Sequence, residues 1–411
     1  MYLTKEEEKI YNGEEGETLQ KAIEILVALG DIYGAEKFIP IKSAQISGVS
    51  YKTIGDAGLE WISDLKGTVK VPSILNPAGM DTENRKSLPI DDHFAEKQIE
   101  ILNVFKNLGI RTQCTCTPYL LKDFDVKYKD NLAWGESSAI SFANSVLGAR
   151  TNREGGPSAI SAALIGKTPN YGLHLEENRI PTILVETDFE MNLSDFAALG
   201  VVAGKEVGNE IPLFRMKDEK QNQICPKRDE LKALGAAMAA TGSVALYHIE
   251  NITPEVLDKD FSFEIPKNKI TIEKEQIDEI YEIVNLPSGK ADNVDRRAFE
   301  NVDLVTVGCP HCSEEELRRI SELLDGKSVK KSFWIFTSRD VANRNPQIVE
   351  SIEKSGAKVV CDTCMVVSPA ANLYSKIMVN SGKAYAYVPG MCSAKSVFAD
   401  LENCVKEALR E

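Results

Sequence analysis

The chain has 411 residues, of which 43% are hydrophobic and 27% charged, and its 48 Lys+Arg against 62 Asp+Glu give a formal net charge of −14. This composition is that of a globular protein and excludes a disordered chain, a collagen-like repeat and a coiled-coil rod. The negative charge also argues against nucleic acid as a partner, because phosphate backbones bind clustered Lys and Arg. At about 150 residues per domain, the length predicts two to three domains.

The N-terminal sequence is acidic and polar, without a basic segment followed by an apolar one, so we predict no signal peptide. No apolar run reaches 18 residues, and hence no transmembrane helix and no membrane partner are expected. We therefore predict a cytoplasmic protein in a reducing compartment. There, clustered cysteines indicate a metal site, a cluster or catalysis before they indicate disulfides.

Short apolar segments alternate with helical patterns along the chain. A first helix is expected after Thr4, which can cap it and which is followed by carboxylates in the first turn. Longer helices are predicted over 17–30, 95–108, 231–238, 274–284, 314–324 and 345–355. Strands are predicted over 38–42, 69–71, 110–113, 183–185, 244–247, 304–308, 332–337, 358–360 and 384–388. This alternation predicts an α/β protein with mostly parallel sheets.

A polar, charge-rich region from about residue 251 to residue 295 predicts a domain boundary. We place an N-terminal α/β region at residues 1–290 and a C-terminal α/β unit at residues 291–411. The N-terminal region contains Cys116, and the C-terminal unit contains Cys309 and Cys364. A site that uses cysteines of both regions would lie in the cleft between them, where ligand sites are common.

Six of the nine cysteines fall in three groups, and each group follows a predicted strand. The groups are Cys114 with Cys116, Cys309 with Cys312, and Cys361 with Cys364. Because ligands of open α/β sheets bind at the carboxyl ends of strands, the groups could present thiolates to one iron–sulfur cluster. Zinc is the competing metal, since Cys-x-x-Cys is a common zinc spacing. Buried thiols without a metal are the remaining alternative.

Local sequence distinguishes the members of each cysteine group. Cys116 precedes a Thr-Pro-Tyr turn that would fix its direction, and Cys309 opens a Gly-Cys-Pro-His turn. Cys364 lies deeper in its loop than the strand-end position of Cys361. His311, beside Cys309, is a candidate catalytic residue that could orient groups at a cluster. The cysteines without a thiol neighbour in sequence are interpreted as structural and are Cys225, Cys392 and Cys404.

A polar loop after the predicted strand at 38–42 is a candidate anion site. Its small residues would let backbone N–H groups approach a carboxylate. The candidate ligands in this loop are Ser43, Gln45, Ser47 and Gly48. The alternative is a polar surface loop. Neither the P-loop pattern nor the Gly-x-Ser-x-Gly pattern of hydrolases is present in the sequence.

Residues 135–156 form the densest polar stretch. Arg150 could bind a carboxylate or a phosphate through two parallel hydrogen bonds, and Glu154 could act as a general acid or base. Further candidate substrate ligands in this stretch are Asn144, Ser145, Thr151 and Asn152. A capped helix that ends in a solvated turn is the alternative. Lys383, after Gly382, could pair with a substrate anion or could be a plain surface lysine.

Six segments together resemble aconitase X, a branch of the aconitase superfamily, over nearly the whole chain. They are KSAQISGVSY, CTCTPYL, ANSVLGARTNREGG, TVGCPHCS, CDTCMVV and NSGKAYAY. The resemblance implies an aconitase-like fold of multi-layer α/β units around a central cleft. It also implies an iron–sulfur cluster, 4Fe–4S or 3Fe–4S, on Cys116, Cys309 and Cys364. An open iron would then act as a Lewis acid on a leaving hydroxyl, while a base removes the proton next to a carboxylate.

The resemblance implies one of two dehydratase activities. One form of the family is a single chain that dehydrates cis-3-hydroxy-L-proline. The other has two subunits and dehydrates mevalonate 5-phosphate to trans-anhydromevalonate 5-phosphate in the modified mevalonate pathway of isoprenoid synthesis. This chain has the length of a large subunit alone, so we expect the second form, with a separate small swivelling subunit that carries the catalytic serine. The alternatives are a cis-3-hydroxy-L-proline dehydratase and, in another class, a metal-bearing structural subunit.

Overall fold

The computed structural model describes residues 1–123, 125–282, 284–285 and 300–411. Helices alternate with strands of four sheets, and three of these sheets are wholly or mainly parallel. The predicted α/β class with mostly parallel sheets is confirmed. The predicted boundary between residues 290 and 291 lies outside the described residues. In the described part of the chain, no helix is both long enough and apolar enough to cross a bilayer.

A sheet of four parallel strands organises the N-terminal part of the chain. Its strands, in spatial order, are Arg111–Cys114, Ser73–Leu75, Ala44–Ile46 and Ala133–Trp134. The helices of this part are Lys5–Tyr11, Glu17–Ile32, Tyr51–Ser63, Asp92–Asn107, Ser137–Ser145 and Gly156–Ile165. Gly156–Ile165 packs against both the sheet and Glu17–Ile32. A separate antiparallel pair is formed by Phe38–Pro40 and Lys167–Pro169.

The middle part of the chain has a second sheet of four parallel strands. Its strands, in spatial order, are Lys269–Thr271, Ile183–Thr187, Pro212–Met216 and His248–Ile249. The helices here are Leu193–Val207, Arg228–Thr241, Pro254–Leu257 and Lys274–Glu282. Leu193–Val207 packs closely along Arg228–Thr241 because both helices are rich in alanine and glycine. Strands buried on both faces are typical of parallel sheets, which explains the continuous apolar run in Ile183–Val185.

The C-terminal part is built on a six-stranded sheet. Its strands, in spatial order, are Val284–Asn285, Lys395–Phe398, Lys376–Val379, Leu304–Cys312, Ser332–Thr337 and Lys358–Cys361. Only the two-residue edge strand Val284–Asn285 is antiparallel to its neighbour. The helices are Glu314–Leu324, Arg339–Arg344, Pro346–Lys354, Gly382–Cys392 and Leu401–Leu409. Short 3₁₀ turns along the chain are Arg85–Ser87, Pro118–Leu120, Gly172–His174, Glu176–Arg179, Met365–Val367 and Pro369–Leu373.

The clearest local signals in the sequence agree with the structure. Thr4 caps the first helix and forms a capping box with Glu7. The helix Glu314–Leu324 and the strand Ser332–Thr337 have the predicted bounds. Ser313 and Glu316 form a second capping box that fixes the start of Glu314–Leu324.

Three predicted strands are wrong. Residues 69–71 and 244–247 are irregular, and the nearby strands begin later, at Ser73 and at His248. Residues 384–388 belong to the helix Gly382–Cys392, whose first turn is capped by Ser381. This helix packs against the helices Leu193–Val207 and Arg228–Thr241 and is buried on several faces, so the alternation of alanine and tyrosine does not mark one buried face of a strand.

Candidate active site

One cysteine from each of the three groups contributes to a single cavity of about 320 Å³. The lining residues are Asn76, Pro77, Cys116, Gly135, Glu136, Ser137, Cys309, Cys364, Val366, Val367, Lys383, Tyr387 and Met391. Cys116 follows a strand of the N-terminal sheet, whereas Cys309 and Cys364 come from the six-stranded sheet. The cavity therefore lies where strand ends of two sheets meet, as the sequence predicts for this α/β protein.

A bulge in the strand Leu304–Cys312 carries Cys309. Val307 pairs with Ile335 and Cys312 pairs with Thr337, so four residues of this strand lie opposite one residue of its neighbour. Gly308 has a φ of +94°, and a Cβ atom on it would collide with the carbonyl oxygen of Phe336. Only glycine fits this position, and the bulge it permits takes Cys309 out of the sheet.

Burial and mutual contact control the protonation of the three cavity thiols. Burial raises the pKa of Cys116 to about 12. Cys309 donates a hydrogen bond to Cys364, which raises the pKa of Cys309 and lowers the pKa of Cys364. A metal that binds thiolates would therefore displace protons from this cavity.

A buried ion pair between Lys383 and Glu136 forms one wall of the cavity. The ammonium Nζ also lies 3.3 Å from Ser138 Oγ, and the Glu136 carboxylate accepts hydrogen bonds from Ser138 Oγ at 2.5 Å and Ala139 N at 2.8 Å. Burial opposes the charge on both groups. The lysine nevertheless holds the pKa of Glu136 below its ordinary value, and the carboxylate and neighbouring thiols raise the pKa of Lys383. Both groups are therefore charged at neutral pH.

Glu136 and Asn76 line the cavity but were not singled out in the sequence analysis. Glu136 directly precedes the helix Ser137–Ser145 and caps its first turn. Asn76 follows the strand Ser73–Leu75, and its Oδ1 is buried with no hydrogen-bond partner among the described residues. A polar residue at the end of a buried strand was the available signal for Asn76. For Glu136 the signal was a carboxylate just before a serine-rich helix start.

His311 does not line the cavity but contacts the segments around it. Its backbone N–H donates to Cys116 Sγ at 3.2 Å. Its ring nitrogens lie 3.0 Å from Thr115 Oγ1 and 2.7 Å from the carbonyl oxygen of Thr363. The side chain is fully buried, and this burial lowers its pKa to about 4.

The polar stretch around residue 150 surrounds a different buried group, the Arg179 guanidinium. Arg179 pairs with Glu255 at 2.5 Å and is completely buried. Asn144 accepts from Arg179 at 3.2 Å and from the backbone N–H of Thr151 at 3.0 Å. Asn152 bonds the backbone of the 171–173 turn, and Ser145 bonds the backbone N–H of Tyr247. These bonds hold the segments of Asn144, Ser145, Thr151 and Asn152 in place, and the predicted contact of these residues with substrate stays a prediction.

The two charged candidates of that stretch are also engaged outside the thiol cavity. Arg150 Nη2 lies 2.8 Å from Glu176, and Nη1 lies 3.2 Å from the carbonyl oxygen of His174. Glu154 is buried, accepts from Thr168 Oγ1 at 3.3 Å, and has a pKa raised by burial. Neither residue belongs to the described lining of the cavity, so their predicted roles as anion ligand and as acid or base stay predictions.

The candidate loop at 43–48 is divided between two surroundings. Ser43 Oγ accepts from the indole of Trp134 at 3.1 Å, and Gln45 donates to the carbonyl oxygen of Thr115 at 2.9 Å. Gln45 therefore supports the segment that carries Cys116. Ser47 and Gly48 line a separate cavity of about 200 Å³ that is mainly apolar. Of the noncysteine ligand candidates, Lys383 is the one that lines the thiol cavity within the described structure.

The donor set of the cavity fits an iron–sulfur cluster. Three soft thiol ligands from separate segments line one space of about 320 Å³. In such a cluster different thiolates bind different irons, so they need not surround one point. Among the described residues, no three His, Cys, Asp or Glu side chains are arranged to hold a single metal ion.

Family models match along most of the chain. The aconitase X first domain matches residues 1–177, the second domain residues 181–282, and the third domain residues 302–410. A phosphomevalonate dehydratase large subunit from Methanosarcina mazei is 62% identical over 408 residues, which are 99% of this chain and 97% of that protein. The chain belongs to the aconitase X family. The resemblance stated from the six sequence segments is thereby confirmed.

Other relatives of this aconitase X chain differ in how much of their length it covers. The phosphomevalonate dehydratase large subunit of Methanocaldococcus jannaschii is 48% identical, and the match covers 99% of this chain and 100% of that protein. A cis-3-hydroxy-L-proline dehydratase from Pseudomonas aeruginosa is 30% identical, with 97% of this chain but 68% of that protein covered. The crystal structure of Thermococcus kodakaraensis aconitase X in its holo-form has a TM-score of 0.87 and 45% identity, covering 99% of this chain and 100% of that chain. The aconitase-like fold is confirmed by that similarity.

Proposed function

We propose that this chain is the large subunit of a phosphomevalonate dehydratase. The reaction is the removal of water from mevalonate 5-phosphate, which gives trans-anhydromevalonate 5-phosphate. The relatives with that name support the assignment because they match along nearly their whole length at up to 62% identity. The cis-3-hydroxy-L-proline dehydratase is less similar and extends well beyond the matched region. The similarities therefore support the phosphomevalonate activity and not this alternative.

The observation that carries the proposal is one cavity with three thiols and a buried cation. Cys116, Cys309 and Cys364 would hold a 4Fe–4S or 3Fe–4S cluster. When bound, such a cluster supplies a Lewis acid for the hydroxyl that leaves the substrate. If zinc, the competing metal of the sequence analysis, occupied the site, the purified protein would be colourless and would contain zinc and no iron.

Lys383 is the proposed ligand of a substrate anion. An ammonium has three N–H donors, of which Glu136 and Ser138 occupy two. The third can reach a carboxylate or phosphate oxygen in the cavity. Glu136 holds the ammonium in place and remains ionised, so we assign it no proton transfer. The buried Oδ1 of Asn76 can accept a hydrogen bond from a substrate hydroxyl.

The second subunit is also part of the proposal. The relatives are called large subunits, which implies a separate small subunit. We assign the catalytic serine, which removes the proton next to the carboxylate, to that swivelling subunit. The two subunits together would act in the cytoplasm, in the modified mevalonate pathway.

An anaerobic assay tests this function. The chain is purified without oxygen, reconstituted with iron and sulfide, and mixed with its candidate small subunit, and dehydration of mevalonate 5-phosphate and of cis-3-hydroxy-L-proline is followed. We expect turnover of the phosphorylated substrate alone, and only with both subunits present. Turnover of hydroxyproline alone would reject the substrate assignment, and full activity of this chain by itself would reject the small-subunit assignment.

A further inference from the structure

His311 is in contact with the segments that carry all three cavity cysteines. It belongs to the bulge with Cys309. It bonds the Cys116 segment twice, through Cys116 Sγ at 3.2 Å and through Thr115 Oγ1 at 3.0 Å. It bonds the Cys364 segment through the carbonyl oxygen of Thr363 at 2.7 Å. These segments are far apart in sequence, so one buried side chain connects parts of the chain that local folding cannot align.

The hydrogen-bond partners fix the orientation of the His311 ring. A backbone carbonyl only accepts, so Nε2 must donate its proton to Thr363. Nδ1 lies 3.0 Å from the Thr115 hydroxyl, which can donate its own proton to it. Thr115 Oγ1 in turn accepts from the backbone N–H of Thr117 at 3.0 Å.

A buried lysine supports the main chain of His311 from the other side. Lys232 Nζ lies 3.4 Å from the carbonyl oxygen of His311. The same ammonium pairs with Glu316 and, at 3.1 Å, with Asp229. Ser313, which follows the bulge, donates to Asp229 at 2.7 Å. Both the ring and the backbone of His311 are thus fixed by groups of the chain itself.

We propose that His311 is a positioning residue that sets the spacing of the three cysteine segments before a cluster binds. The proposal rests on the proposed function in one respect, namely that the three thiols are the cluster ligands. It makes specific the orienting role considered in the sequence analysis. His311 is not among the described residues that line the cavity, and its Nε2 donates to the carbonyl oxygen of Thr363.

Three substitutions separate the two ring contacts. In His311→Gln the side-chain amide can reach the position of Nε2 and donate to Thr363, but the bond to Thr115 is lost. In His311→Asn the amide oxygen lies near the position of Nδ1 and can accept from Thr115, but the bond to Thr363 is lost. His311→Ala loses both. His248→Ala is the matched control, because this buried histidine also bonds a backbone carbonyl, that of Arg179, at 2.8 Å.

Amide hydrogen exchange of the iron-free chain gives a readout that needs no cluster. We expect faster exchange in the 115–117 segment in the Gln variant, in the 363–366 segment in the Asn variant, and in both in the Ala variant. Unchanged exchange in the Ala variant would overturn the proposal. This measurement tests the link between His311 and the cysteine segments even if the wild-type chain binds no iron. Absence of iron binding by the wild-type chain would reject the cluster assignment instead.

Iron retention of the reconstituted protein with its small subunit gives the second readout. Loss of a residue that orients metal ligands costs about 10- to 100-fold in metal affinity. We expect a loss in that range for His311→Ala, partial recovery for the Gln and Asn variants, and wild-type retention for His248→Ala. The pH dependence of kcat should keep its shape in the Gln variant. If the Gln variant retains the iron content of the wild type but its plot of kcat against pH loses the rise or the fall seen in the wild type, His311 transfers a proton and the proposal is overturned.

Discussion

The ion pair between Lys383 and Glu136 allows a test in which stability and substrate binding respond differently. Lys383→Met removes the cation and leaves the Glu136 carboxylate buried, with a side-chain exposure of 5%. Removing one partner of a buried pair costs about 3–5 kcal/mol. Ser138 and the backbone N–H of Ala139 still donate to the carboxylate. We therefore expect Lys383→Met to lower the free energy of unfolding by about 3 kcal/mol, the lower end of that range, as measured by urea unfolding of the iron-free chain.

The double variant Lys383→Met with Glu136→Gln removes both charges. The amide oxygen introduced by Glu136→Gln can still accept from Ala139, and no uncompensated charge is left in the low-polarity interior. We expect it to recover about 2 kcal/mol of the loss. Activity should not recover, because the substrate anion still lacks its ammonium partner. A charge-assisted hydrogen bond is worth about 1.5–3 kcal/mol, which predicts a fall in kcat/KM of roughly 10- to 100-fold.

The stability that the ion pair contributes depends on pH in a direction set by the pKa shifts of Glu136 and Lys383. Glu136 has a lowered pKa, so its contribution to stability is present above its ordinary value of 4.5 and is lost as pH falls through the folded value. Lys383 has a raised pKa, so its contribution is present below 10.5 and is lost as pH rises through the folded value. The contribution of the pair to the stability of the wild-type chain should therefore be constant between these two pH values, which urea unfolding over that range would show.

Two results would contradict the reasoning about this pair. If the double variant is no more stable than Lys383→Met, the uncompensated carboxylate is not the source of the loss. If the double variant regains the kcat/KM of the wild type, the ammonium does not bind the substrate. Lys97→Met is a suitable control, since Lys97 forms ion pairs with Asp56 and Glu100 that are largely solvent-exposed. Such pairs contribute about 0–1 kcal/mol.

Three further predictions concern the cluster and the polar stretch. The proposed cluster ligands are Cys116, Cys309 and Cys364. Replacing any one of them with alanine should abolish iron binding after anaerobic reconstitution. Iron retained in one of these variants would refute the assignment of that cysteine. Cys404→Ala, which changes a buried thiol outside the cavity, should keep its iron. Gly308→Ala should cost at least about 3 kcal/mol in urea unfolding and reduce iron content, because the bulge cannot accept a Cβ; wild-type stability would contradict this. Arg150→Met should lower thermal stability while KM stays within about twofold of wild type, whereas a large rise in KM would favour the sequence prediction of an anion ligand.

Sequence patterns predicted the fold well wherever local signals were sufficient. The helix Glu314–Leu324 has a capping box at its start and buries Leu317, Ile320 and Leu324 at helical spacing. Those features are complete within one segment. The segment 384–388 lacks such local signals, because helices from the middle part of the chain determine which faces of Gly382–Cys392 are buried. Its alternating pattern therefore predicted a strand where a helix forms.

The same distinction explains the predicted site. Cysteine spacing and strand ends predicted three groups at one edge, and one cysteine of each group does line the cavity. The start of the polar stretch 135–156 also contributes to the lining, but the candidate ligands named within that stretch lie elsewhere. The stretch around Arg150 is dense because it surrounds the buried pair of Arg179 with Glu255, a requirement that arises only from packing. An unpaired buried arginine would be costly, and several neighbouring groups are used to accept its hydrogen bonds.

The contacts of His311 are long-range contacts that sequence patterns do not predict. Its partners lie 196 and 52 residues away along the chain. Each cysteine segment is placed by its own strand, but two of the strands belong to one sheet and the third to another. Nothing within a segment determines how far its thiol lies from the other two. His311 contacts all three segments, and an imidazole ring suits such a position because one nitrogen can donate to one segment while the other accepts from another.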